Sequence, residues 1–142
     1  MAPPVPLNTR RHPDAEPVAD PAGDPLLEEG RALFNDGKHW HAHEAWEHLW
    51  LGLEGRDKLF VQGLIMAAAM LVQYGRGRFQ GVLNHHENVL ARLPEHAPTK
   101  WGIDVAGLLA QLAPFREAAA RDDGSLDPAD VQLVRDPTDQ TA

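Results

Sequence analysis

The residues best suited to chemistry lie in FNDGKHWHAHEAWEHLW, residues 34–50, which holds four of the eight histidines and three of the four tryptophans. Its most specific pattern is His43-Glu44-x-x-Glu47. Positions i and i+4 of a helix share one face, so the side chains of His43 and Glu47 can reach the same cation. A histidine and carboxylate pair of this kind is typical of zinc, manganese and non-haem iron sites in helical bundles.

The ligands of such a metal must be histidine, carboxylate or amide groups, because the chain contains no cysteine. His43 and Glu47 are the first two candidates for binding a divalent metal ion. A third ligand has to come from elsewhere, and the sequence offers three polar residues for it: His39, His86 and Gln62.

Glu44 and Glu47 are the candidate catalytic residues. The motif is similar to the His-Glu-x-x-His helix of metalloproteases with its second histidine replaced by glutamate. In that comparison Glu44 would be the general base acting on a metal-bound water. The spacing alone leaves open whether the protein is an enzyme.

A structural role fits the same residues. A His–Glu pair at i, i+4 is also an ordinary helix salt bridge. Gln62 lies in an apolar helix and must find a partner, because an unpaired buried amide costs roughly 1–3 kcal/mol. It either holds two helices in register or hydrogen-bonds the His43 and Glu47 pair. Trp50, at the edge of the core stripe, completes the set of ligand-binding candidates, although tryptophans at helical spacing are typical packing anchors.

The spacing of apolar residues predicts an all-α bundle of about five helices and no strand. The helices are expected at about 25–36, 38–53, 56–74, 78–93 and 104–121, with Pro114 kinking or splitting the last. The third, which contains FVQGLIMAAAMLVQY, is apolar on nearly every side and should be the buried central helix. The predicted core face of the fourth helix contains Phe79, Val82, Leu83, Leu90 and Leu93, with His86 inside the same stripe.

The domain organisation predicted from composition is one bundle with two tails. Residues 1–24 contain six prolines, which predicts a flexible N-terminal tail. Residues 25–121 form the bundle domain, and residues 122–142 are expected to be an irregular C-terminal tail.

Composition excludes several classes of function. The formal net charge of −8 over 142 residues disfavours nucleic acid as a partner. Ser125 is the only serine and lies in the C-terminal tail, so a serine triad has no support. We find no run of about eighteen apolar residues that would predict a membrane span, and no apolar core of a secretory signal near the N-terminus. The sequence therefore predicts a cytoplasmic protein without a membrane partner.

The chain resembles the bacterial and archaeal domain-of-unknown-function family 309 over about residues 25–120. The resemblance rests on four segments: FNDGKHWHAHEAWEHLW (34–50), QGLIMAAAML (62–71), GRGRFQGVLNHHENVLARL (75–93) and GIDVAGLLAQL (102–112). It implies a small all-α bundle with no established activity. It also implies that the family pattern falls on the motif that includes His43, Glu44, Glu47, Trp50 and Gln62.

Two hypotheses follow. In the first, a polar pocket built from His43, Glu44, Glu47 and Gln62 binds a divalent metal or a small polar ligand, with Glu44 or Glu47 available as a base. In the second, the same four residues form an internal hydrogen-bond network that fixes helix register. The function would then lie in a protein partner or in homo-oligomer formation.

Overall fold

A computed structural model of the protein describes residues 5–136 and shows a bundle of five α-helices. The helices are α1 (Pro25–Asn35), α2 (His39–Leu51), α3 (Gly55–Gly75), α4 (Phe79–Arg92) and α5 (Val105–Ala120). The predicted all-α class is confirmed, and each observed helix end lies within two residues of its predicted position. The N-cap predictions also hold, because Asp24 accepts from the Leu26 N–H and Asp104 from the Gly107 N–H.

Helix α3 is the centre of the bundle, as its composition predicts. It packs against α2 on one side and α4 on another, and its buried residues lie on nearly all of its faces. By length and composition α3 could cross a membrane, contrary to the expectation that no segment could. However, 72% of its apolar window is buried by the rest of the protein, as in the core helix of a bundle.

Helices α1 and α2 approach each other closely at Gly30. A Cβ at this position would lie 2.1 Å from Nε1 of Trp46, which fills the space that the glycine leaves. The same Nε1 donates to the carbonyl of Leu27 at 3.2 Å, so the buried indole is satisfied. This contact places α2, and therefore the histidine motif, against α1.

The N-terminal segment, here residues 5–24, runs along the bundle surface. The N–H of His12 donates to the carbonyl of Leu51, and the N–H of Val18 donates to that of Gly52. The N–H of Gly55 donates to the carbonyl of Thr9 at 2.8 Å. The segment is therefore hydrogen-bonded to the corner between α2 and α3.

The C-terminal segment, residues 121–136, packs on α1. Leu133 is fully buried, and its N–H and carbonyl are both hydrogen-bonded to the side chain of Asn35. Arg135 donates to Glu28 at 2.9 Å. Hydrogen bonds from Arg31 and Arg135 hold the pKa of Glu28 below its usual value, although partial burial opposes them.

Three details differ from the sequence predictions. A short antiparallel hairpin joins Thr99–Lys100 to Ile103–Asp104, whereas no strand was expected. Helix α5 continues through Pro114, so a split there is wrong, while a kink stays a prediction. The predicted core face of α4 is wrong at Leu90, which is 47% exposed, because the buried stripe of that helix passes through Asn88 and Arg92.

Candidate functional site

His43 and Glu47 form the central pair of the predicted motif, and the structure brings them together. Nε2 of His43 lies 3.1 Å from Oε1 of Glu47. The His43 ring also stacks on Trp40, with 4.9 Å between ring centroids. The imidazole is 18% exposed and the carboxylate 50% exposed, so the pair lies at the surface of the bundle with the ring held from two sides.

His85 on α4 is the residue that the sequence analysis missed. Burial lowers its pKa, and the charge of the His43 imidazole acts in the same direction. Nδ1 of His43 and Nδ1 of His85 are both buried without a hydrogen-bond partner. His85 could have been found from the correct α4 stripe, because it lies three residues after Val82 and four before Val89, which are both buried.

Glu44 lies apart from this pair. Its side chain is 57% exposed and lies 3.6 Å from His41, on the same turn of α2. Together with His48 and Glu29 it lines a shallow hollow between α1 and α2. Its catalytic role remains a prediction.

The other two histidines proposed as ligands are in separate environments. His39 is 6% exposed, packs edge-on against Phe34, and has a buried Nε2 with no hydrogen-bond partner. Burial lowers its pKa to about 4, while the carboxylate of Asp127 acts in the opposite direction. His86 is partly buried, and burial, followed by the charge of Arg116, lowers its pKa.

Gln62 has a structural partner that the sequence did not identify. Its Oε1 accepts from Nε of Arg92 at 2.9 Å, and both side chains are buried. The remaining guanidinium N–H groups donate to Asn88, through Oδ1 and the carbonyl, and to the carbonyls of Val5 and Pro6. The partner of Gln62 is therefore Arg92 rather than the His43–Glu47 pair.

Trp50 lies at the other end of α2, against the ammonium group of Lys58. Nζ of Lys58 is 3.9 Å from the centroid of the indole ring. Nε1 of Trp50 is buried and has no hydrogen-bond partner among the described residues. The ligand-binding role expected of Trp50 remains a prediction.

The structure thus separates the residues that the sequence grouped. His43 and Glu47 form a surface pair, Gln62 belongs to a buried network, and Glu44 points to a different hollow. The four do not form one internal network. Within residues 5–136, no three histidine, aspartate or glutamate side chains are grouped so that they could hold a metal ion in their present conformations.

Comparison with known proteins supports the family resemblance. Residues 27–84 match the family model described as Domain of unknown function (DUF309). The match covers α2 and α3, with the motif and Gln62. It ends within α4, inside the third of the four segments on which the resemblance was based and before the fourth. No curated protein and no solved structure gives a significant match to this chain.

We predict that Arg92→Leu costs about 2–4 kcal/mol of unfolding free energy, because it leaves the buried Oε1 of Gln62 without its donor and removes the guanidinium hydrogen bonds to Asn88 and Val5. Urea denaturation measures the loss. Arg78→Leu is the control, since Arg78 is exposed at the start of the same helix and its replacement should change stability by less than about 0.5 kcal/mol. Equal effects of the two substitutions would contradict the assigned network.

We also predict acid-sensitive stability. The pKa of His39 is lowered from 6.5 to about 4 in the folded protein, so the unfolded chain binds its proton more readily. The stability that neutral, buried His39 contributes is fully present above pH 6.5 and is lost as the pH falls towards 4. Urea unfolding between pH 7 and 4 should show a weaker loss in His39→Gln than in the wild type, whereas the exposed His48→Gln should follow the wild type. A His39→Gln profile parallel to the wild type would refute the assignment.

Proposed function

We propose that His43 and Glu47 on α2, together with His85 on α4, bind a divalent transition-metal ion. The observation that carries the proposal is the 3.1 Å separation between Nε2 of His43 and Oε1 of Glu47. Two ligand atoms about 2.1 Å from a tetrahedral zinc ion lie about 3.4 Å apart. The pair is therefore spaced for a metal to replace the proton between the two atoms.

Preorganisation of the first ligand supports the same function. The His43 ring is stacked on Trp40, so little rotational freedom is lost when its nitrogen binds a metal. Glu47 is half exposed, and its carboxylate can turn without disturbing the core. These properties suit a ligand pair on one helix.

His85 on α4 would supply the third ligand. The charge of His43 acts on the pKa of His85. These two histidines and Glu47 make a donor set typical of zinc sites with an open fourth position. The three groups do not converge in their present conformations, so binding requires rotation of Glu47 and His85. Catalysis is not part of the proposal, because Glu44, the base suggested by the motif, pairs with His41 instead.

The proposal predicts saturable binding of one Zn²⁺ per chain, measured by isothermal titration calorimetry on protein purified without a histidine tag. The substitutions His43→Ala, Glu47→Gln and His85→Asn should each weaken binding at least about tenfold, since each removes a ligand. Thermal unfolding of each variant without metal checks that the fold is intact.

The matched control is His41→Asn combined with His48→Asn, which removes two exposed histidines from the same helix. This variant should keep the wild-type affinity. If the control loses binding while His43→Ala retains it, the metal binds to the exposed His41 and His48 and the proposal fails. Absence of saturable binding by the wild-type protein would also refute it.

A further inference from the structure

A second feature of the molecule is a group of cations without carboxylate partners. Seven of the thirteen lysines and arginines form ion pairs among the described residues, and six do not: Arg10, Arg11, Lys58, Arg76, Arg78 and Arg92. Arg92 is satisfied by its buried network. Three of the remaining five line one hollow of about 430 Å³ between the N-terminal segment and the start of α3: Arg10, Arg11 and Lys58.

The wall of this hollow, within the part of the chain that the structure describes, contains no acidic side chain. It is completed by Asn8, His12, Pro13 and Trp50. The concentration of positive charge is notable because the whole chain has a net charge of −8. It creates a local site for an anion on a protein that otherwise repels anions.

Lys58 shows that this charge is incompletely compensated. Its side chain is 1% exposed. Among residues 5–136, Nζ donates one hydrogen bond, to the carbonyl of Arg10, and lies over the ring of Trp50. A buried ammonium group loses hydration, and one carbonyl and one ring replace it only in part. Burial accordingly lowers the pKa of Lys58. An anion in the hollow would supply the missing negative charge.

The two arginines are free to bind such an anion. The side chain of Arg10 makes no hydrogen bond or ion pair among residues 5–136, and Arg11 donates only to the carbonyl of Ala15, at 3.2 Å. Guanidinium groups match the paired oxygens of a phosphate in geometry as well as in charge. Three positive charges also favour a dianion over a monocarboxylate.

We propose that this hollow binds a small phosphate-bearing molecule, with the phosphate held by Arg10, Arg11 and Lys58. The hollow is larger than a bare phosphate needs, and Pro13 and Trp50 give it an apolar wall. The ligand therefore carries an organic group attached to its phosphate. The site shares no residue with the proposed metal-binding surface, so either proposal can fail without the other.

The test is isothermal titration calorimetry of the full chain with phenyl phosphate and with inorganic phosphate, at constant ionic strength because screening weakens such contacts. We expect one site per chain and tighter binding of phenyl phosphate. A phosphate that binds as tightly as its phenyl ester would overturn the organic part of the proposal. If neither compound binds saturably, the whole proposal is overturned.

Arg10→Gln is the decisive variant, because its side chain makes no contact that the fold needs. It should weaken phenyl phosphate binding at least about tenfold, the value of a lost hydrogen bond between charged groups. Arg11→Gln should act in the same way. Arg78→Gln makes the same change of charge outside the hollow and should bind as the wild type does. Equal weakening in Arg78→Gln would show that only net charge matters and would refute the site.

Discussion

The burial of Arg92 is the constraint on which much of the structure depends. A guanidinium group with no exposure and no carboxylate partner must find neutral acceptors for its N–H groups at the same time. They come from Gln62 on α3, from Asn88 on α4 and from the backbone of Val5 and Pro6. One side chain therefore sets the position of two helices and of the N-terminal segment. Gly63 permits the approach, since a Cβ there would lie 2.4 Å from Leu93.

The N-terminal segment in turn connects the core to the surface. Its hydrogen bonds at the corner between α2 and α3 place Arg10 beside Lys58, and so form the cationic hollow. The histidine motif is held separately, by the packing of Trp46 into the space left by Gly30. Polar residues that the sequence grouped into one candidate site thus have different roles. Gln62 fixes the arrangement of the core, whereas His43 and Glu47 remain at the surface.

The sequence predicted the helices well because their signals are local. Asp24 and Asp104 mark two helix starts, and the apolar composition of α3 identifies the central helix. The face of α4 was not predictable in the same way. Arg92, at the end of a helix, has the appearance of a solvated cation, and Leu90 that of a core residue, yet their burial is reversed. Arg92 is buried because the backbone carbonyls of Val5 and Pro6 accept its hydrogen bonds. No pattern of side chains in the sequence reveals that contact.

Binding of one metal ion by both His43 and His85 is the central claim about function. The most direct test is a long-range ¹H–¹⁵N NMR spectrum of the imidazole nitrogens during titration with Zn²⁺. Our account predicts that one nitrogen of His43 and one of His85 shift together and reach saturation at one equivalent. If the exposed His41 and His48 shift first and the resonances of His43 and His85 do not move, the account is wrong.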